Sequence, residues 1–212
     1  DELPNRIICG SVQVRPNIQE FTETGIKFDD GTFEDNIDAV IFATGYVYGF
    51  PFLDKSVIEV KENKVELYKH MFSPDLEKLT LAVIGCIQPL GAVMPISEMQ
   101  SRLATRVFKG LISLPSREEI WHDIRVKQTR MEQRYVKSSR HTIQVDFIPF
   151  MDELAALVGC KPNFWKLWLT DPRLAWNCIF GPATPYQWRL DGPGKWEGAK
   201  EAIYTQWDRT YY

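Results

Sequence analysis

Residues 38–53, DAVIFATGYVYGFPFL, are the part of the chain best suited to lie against a ligand. Asp38 heads an apolar run from Ala39 to Ala43, which ends in Thr44 and Gly45 before a cluster of aromatic side chains. A strand ending in Ala-Thr-Gly brings almost no side chain to its edge, so a flat cofactor, a ribose or a pyrophosphate can approach the backbone closely. The plainer reading is that Gly45 only turns the chain. A second apolar run at 79–85, LTLAVIG, also ends in glycine, at Gly85. Two buried strands with glycine ends suggest one site at their carboxyl edge, where open α/β sheets take ligands.

Other reactive residue types form no constellation. Cys9, Cys86, Cys160 and Cys178 are widely separated, with no CxxC or CxxH pair, so neither a zinc site nor a dithiol redox pair is expected and they read as free thiols. His70, His122 and His141 are scattered and are assigned no chemistry. GPGKWEGA carries Gly192, Gly194 and Gly198, but no buried strand precedes it, so it reads as a turn rather than a phosphate cradle. No metal site and no catalytic side chain are assigned.

The elements that must position the two glycine ends follow from patterning. Val12 and Val14, then 18–21, then Ile26 and Phe28 alternate as short strands, and Asp29-Asp30-Gly31 is a hairpin signal, giving a small antiparallel meander. The runs at 37–43, apolar without interruption after Asp38, and at 79–85 suit strands buried on both faces, as in a parallel sheet covered by helices. Beyond the second run, Ser97 with Gln100 fits a capping box opening a helix with Met99, Leu103, Val107 and Leu111 on one face. REEIWHDIRVKQTRMEQRY is a second helix, acidic early and basic late as the helix dipole favours, and DFIPFMDELAALVG is a third that stops at Gly159. From Cys160 onward, short helices are cut by Asp-Pro and Gly-Pro pairs in a separate, tryptophan-rich layer.

Composition narrows the function classes. A chain of 212 residues, 44% hydrophobic and 25% charged, has the make-up of an ordinary soluble globular protein large enough for a sizeable core. A net charge of −3 with no dense basic run argues against nucleic acid. No apolar run reaches the ~18–20 residues that cross a bilayer. The start, DELPNRIICG, has no signal peptide and no initiator Met and reads as part of something longer.

VIFATGY followed by YGFPFLD resembles the flavin-containing monooxygenases, a family of two-dinucleotide-binding-domain flavoproteins. DELPNRI, QEFTET, LAVIGCIQPLGAVMP, MDELAALVG, LTDPRLA, FGPATPYQWRL, GPGKWEGA and TQWDR support the likeness in order, over essentially the whole chain. The resemblance implies an α/β, Rossmann-like flavoprotein fold. It divides the chain into the end of an NADPH-binding domain with its meander (1–45), the C-terminal part of an FAD-binding domain (46–159) and an aromatic-rich layer facing substrate and membrane (160–212).

The same resemblance implies the cofactors FAD and NADPH, molecular oxygen, and an endoplasmic reticulum membrane location. The chemistry it implies is transfer of one oxygen atom, through a flavin C4a-hydroperoxide, to a soft nitrogen or sulfur nucleophile of a small xenobiotic substrate. It makes Thr44, Gly45 and Tyr46 the family's FATGY signature beside the cofactors, keeps Gly85 at the second edge, and places the Gln88 amide beside the flavin ring, where it can donate and accept at once. On the residues alone, Gln88 is a polar loop residue. The family's GxGxxG and GxSxxG loops are not in these 212 residues, so the chain matches a C-terminal portion.

Baeyer-Villiger oxygenation of ketones, or an inactive fragment serving as an interaction module, stand as alternative readings, and homo-oligomerisation stays open. The aromatic residues after Cys160 have two readings, as core and as a surface for the lipid headgroup region.

Overall fold

The computed structural model describes residues 2–134 and 142–209. Contacts divide the chain into two units, one ending at Gly45 and one beginning at Tyr46.

In the first unit, helix α1 (Leu3–Ile8) carries a proline in its first turn, where a missing N–H costs nothing, and buries no side chain. The meander follows: β1 (Ile18–Phe21), β2 (Ile26–Phe28) and β3 (Phe33–Glu34) pair antiparallel in that order. Ile26 and Phe28 point to one buried face while Lys27 points out. The turn after β2 uses Gly31 at φ 81, with the Gly31 amide donating to the Phe28 carbonyl at 2.9 Å. Val12 and Val14 lie outside any strand.

The apolar run at 37–43 departs from expectation. It forms no strand, and Ile41 and Phe42 are 89% and 71% exposed. An extended segment becomes a strand only through a ladder of hydrogen bonds to a neighbour, and here the Ile37 amide donates to the Thr24 carbonyl at 2.9 Å without such a ladder following. Its side chains carry the pattern of a buried strand without the sheet that would bury them. The run at 79–85 is likewise no strand, but it is half-buried, and the Val83 amide donates to the Met71 carbonyl at 2.8 Å.

The second unit is built on helices. In α2 (Val93–Phe108), Ile96, Met99, Leu103 and Val107 recur at helical spacing, and all are buried. In α4 (Phe147–Val158), Phe150, Met151, Leu154 and Val158 do the same, and the two helices pack on each other. Ile120 and Ile124 of α3 (Arg117–Arg134) join that core.

Helix ends follow local chemistry. Gly159 stops α4 in the left-handed conformation at φ 84. A capping box opens α3, where the Ser116 amide donates to Glu119 Oε2 at 2.9 Å and the Glu119 amide to Ser116 Oγ at 3.4 Å. The capping box expected at Ser97 and Gln100 does not form. Helix α2 begins four residues earlier, at Val93, with Pro95 in its first turn. Ser97 Oγ therefore bonds back to the Val93 carbonyl, and Gln100 falls on the buried face.

Short strands join these helices: β4 (Val60–Lys61) with β5 (Lys64–Val65), and β6 (Gln88–Leu90) with β7 (Gln144–Asp146). The β6–β7 pair is parallel, with Gln88 opposite Gln144. After Cys160 come α5 (Phe164–Thr170), α6 (Pro172–Phe180), a 3₁₀ turn (Pro185–Arg189) and α7 (Ala199–Tyr204). Asp171 separates α5 from α6 and caps the latter, its Oδ1 accepting from the Leu174 amide at 3.1 Å and from the Tyr204 hydroxyl at 3.0 Å.

Candidate functional site

Two of the expected site residues belong to the first unit and three to the second. Thr44 and Gly45 are exposed at the end of the first, and Gly45 sits at φ 77 with open space where a Cβ would be. Tyr46, 96% exposed, opens the second. The structure brings Gly85 and Gln88 together in one well-anchored loop of the second unit.

That loop hangs from several hydrogen bonds. The Val83 amide is held by the Met71 carbonyl, the Gly85 amide by Gln100 Oε1 at 2.8 Å, and the Gln88 amide by the Ile143 carbonyl at 2.8 Å. Gly85 turns the chain at φ 78, a conformation that strains any residue with a side chain. Gln88 thus stands on a hydrogen-bonded strand rather than in a loose loop, and its residue is exposed. The neighbouring Cys86 is half-buried, and burial pushes its thiol up, away from nucleophilic character. All four cysteines are free thiols.

The aromatic stretch after Gly45 is tied to the same corner. The Tyr48 amide donates to Asn63 Oδ1 at 2.9 Å, and its hydroxyl lies 3.3 Å from Thr142 Oγ1. Thr142 in turn donates to the Asn63 carbonyl, and it immediately precedes Ile143, which holds Gln88. Tyr48 and Thr142 tie this corner together, and patterning did not single them out.

Behind β7 lies a cavity of about 1270 Å³ whose wall includes His70, Trp121, Ile124, Gln144, Phe150 and Glu153. Lys127 also lines it, and with Glu153 belongs to an ion network that continues behind the wall. Lys69 Nζ sits 3.0 Å from Asp123 Oδ1 and 3.1 Å from Glu153 Oε2, and Lys127 Nζ lies 2.5 Å from the same Glu153 oxygen. Burial alone would lower Lys69, but the carboxylates of Glu153 and Asp123 hold its proton firmly. Burial would raise the Glu153 carboxyl, and the two ammonium groups outweigh it, keeping the group below its usual range. Lys127 is lowered by burial and by the positive charge of Lys69.

His70 packs edge-on against Phe150, with ring centroids 5.6 Å apart. Burial first, then the Lys127 charge, pushes its imidazole down to about 4, so it is neutral near pH 7.

Lys69 and His70 are the corner of a tight turn closed by the Met71 amide on the Tyr68 carbonyl at 2.9 Å, with φ of 52° and 55°. Such a turn normally recruits glycine or asparagine. Left-handed backbone costs roughly 1 kcal/mol at each of these residues, which the ion network and the Phe150 contact must offset. Three distant segments, around 69, 123–127 and 153, build this cluster, so no local motif announces it. Among the described residues no group of three or more His, Cys, Asp or Glu could hold a metal ion.

The aromatic layer divides between buried and exposed residues. Trp188 and Leu174 are core, whereas Trp165 and Leu169 are 84% and 88% exposed. Trp176 meets Trp168 edge-on (ring centroids 6.5 Å apart) and Phe180 at a tilt (4.3 Å), extending the exposed face across α5 and α6. No helix among the described residues is long and apolar enough to cross a membrane.

The flavin-binding monooxygenase-like family model matches residues 1–212. Flavin-containing monooxygenase 5 of Homo sapiens is 58% identical over 209 residues, which are 99% of this chain and 39% of that protein. Flavin-containing monooxygenase 3 of Homo sapiens is 52% identical over 210 residues, again 39% of its length. The chain thus spans about two-fifths of the relatives it matches. Among solved structures, S-allyl-L-cysteine S-oxygenase from Allium sativum aligns with a TM-score of 0.56 and 27% identity, covering 92% of this chain and 42% of that one. Match length, level of identity and mixed α/β architecture agree: the chain belongs to the flavin-binding monooxygenase-like family.

Proposed function

We propose that the chain is the C-terminal part of an FAD- and NADPH-dependent monooxygenase that oxygenates soft nitrogen or sulfur centres of small molecules. The observation that carries this reading is Gln88: an exposed residue on a hydrogen-bonded strand, three residues after the positive-φ Gly85. An amide so placed fits the alternating donors and acceptors of a flavin's pyrimidine edge. The bare backbone at Thr44 and Gly45 fits close approach by a cofactor. Bound FAD, reduced by NADPH, would supply the oxygen-activating chemistry. This chain's own residues orient it: Gln88 through its amide, Gly85 by setting the turn, and Tyr48 with Thr142 by fixing the corner.

The test joins this chain to the N-terminal portion that its relatives carry and records the visible absorption band of oxidised flavin. The joined protein is expected to hold FAD and this chain alone to hold none. A joined protein without flavin would overturn the reading. Gln88→Ala in the joined protein should lose one or two hydrogen bonds worth about 1 kcal/mol each, weakening FAD retention roughly five- to thirtyfold. NADPH oxidation should also run ahead of product formation. Unchanged retention and coupling would remove Gln88 from the site.

The reading includes a membrane surface beside the α5–α6 face. Trp165, Leu169, Trp176 and Phe180 are exposed there, with Lys166 and Arg173 on the same two helices, which is the composition that settles at a lipid headgroup boundary. Sedimentation with anionic phospholipid vesicles should carry the chain down. The pair Trp165→Ser with Leu169→Ser should cut the bound fraction on the order of tenfold or more, given about 1.5–3 kcal/mol per large apolar side chain. Equal sedimentation of the variant would reject lipid as the occupant of this face.

A further inference from the structure

We infer that Gln100 is a positioning residue that sets the conformation of the Gly85–Gln88 loop, and through it the placement of the Gln88 amide. The functional half of this inference rests on the reading of Gln88 above.

Gln100 is fully buried in the middle of α2, among Ile96, Met99 and Leu103. A leucine or methionine would fill that position without desolvating an amide. Instead, both ends of the Gln100 amide are spent on backbone. Oε1 accepts the Gly85 N–H at 2.8 Å, and Nε2 donates to the Lys69 carbonyl at 3.3 Å. Neutral side chains that accept and donate at once, with the reach of three side-chain carbons, reduce to glutamine. Neither of the segments it joins forms a helix or a strand at those residues, so their orphan backbone groups need a partner from elsewhere.

The two segments are otherwise weakly determined. Gly85 has the freedom of a glycine at φ 78, and Lys69 is held in a left-handed turn that its residue type does not favour. The turn is anchored on its far side by the Lys69 ammonium between Asp123 and Glu153. Its near side is anchored by the Met71 carbonyl gripping the Val83 amide. Gln100 closes this frame at Gly85, three residues before Gln88. The geometry therefore runs from the buried ion network, through a strained turn and one buried amide, to the strand that presents Gln88.

Amide hydrogen exchange on the 212-residue chain tests this. In the unsubstituted chain the Gly85 amide should exchange at least a hundredfold more slowly than its unstructured rate; exchange at the unstructured rate would overturn the inference with no variant made. Gln100→Met keeps the shape and removes both hydrogen bonds. It should speed exchange at Gly85, Ile87 and Gln88 at least tenfold relative to Leu103 and Leu154 in the core. Gln100→Glu keeps the acceptor and should retain most of the Gly85 protection. Equal acceleration of loop and core in Gln100→Met, or loss of Gly85 protection in Gln100→Glu equal to that in Gln100→Met, would reduce Gln100 to packing and overturn the proposal.

The functional half is read in the joined, flavin-loaded protein. Gln100→Met should shift the flavin's visible spectrum in the same direction as Gln88→Ala, and the double variant should do no more than either alone. Additive shifts would reject the route through Gln88. Should Gln88→Ala change nothing while Gly85 exchange still responds to Gln100→Met, the positioning stands and the flavin role of Gln88 falls.

Discussion

Trp188→Ala is expected to cost about 3–5 kcal/mol of stability, the range for deleting a buried large aromatic side chain. Trp188 is 1% exposed inside the main core of the second unit, packed edge-on against Phe147 with ring centroids 6.0 Å apart. Its indole N–H donates to Asp152 Oδ1 at 2.9 Å, so the truncation removes a hydrogen bond as well as the ring. The 3₁₀ turn that carries it is thereby fastened to α4, at the helix that also bears Glu153 and Phe150. Against a net stability of roughly 5–15 kcal/mol for an ordinary domain, the loss would leave little margin.

Trp188→Phe separates the two contributions. It keeps most of the buried apolar surface and loses the N–H donor, while the other oxygen of Asp152 remains 3.2 Å from Lys161 Nζ. Its expected cost is about 1 kcal/mol, the net worth of one hydrogen bond. Urea denaturation followed by the remaining tryptophans measures both, through the transition midpoint at unchanged slope. A loss below about 2 kcal/mol for Trp188→Ala would mean that the C-terminal segment is not part of this core.

Helices α2, α3 and α4 were legible because a helix satisfies its backbone within one segment, so that Met99, Leu103 and Val107, for example, report their own burial. The runs at 37–43 and 79–85 announced buried strands and did not form them, because a strand needs a ladder of hydrogen bonds, whereas these runs make isolated ones such as Ile37 N–H to the Thr24 carbonyl and Val83 N–H to the Met71 carbonyl. Ser97 and Gln100 matched a capping motif by spacing, yet Pro95 could enter the first turn and the helix started earlier. The residue read as a cap then became the buried amide that holds Gly85. In the candidate site, glycine ends were legible at Gly45 and Gly85, while Gln88 was singled out only by resemblance. The Lys69–His70 turn was not legible, since neither residue signals positive φ, and the ion network joins residues up to 84 apart in sequence.

Acidification should destabilise the second unit before its carboxylates are titrated, and His70 is the cause. The folded imidazole takes its proton at about 4, against an ordinary 6.5 when the chain is unfolded. Between those values the unfolded chain binds more protons, so stability is complete above 6.5 and falls as pH drops toward 4. The groups facing the ring set this sign: Lys127 and Lys69 oppose a new positive charge, Glu153 and Asp123 favour it, and burial beside Phe150 decides in favour of the neutral form. A depression of this size corresponds to about 3 kcal/mol at full protonation, with about 2 kcal/mol already lost by about pH 5. Glu153 acts in the same direction but later, because its folded carboxyl lies below an ordinary 4.5. Urea midpoints at about pH 7.5 and about pH 5 therefore isolate the histidine. His70→Asn is the informative variant, since asparagine accepts the left-handed turn and carries no proton in this range. It should flatten the pH dependence between those two conditions while leaving stability at the higher pH nearly intact. A slope unchanged from that of the parent chain would assign the acid sensitivity to groups outside this turn.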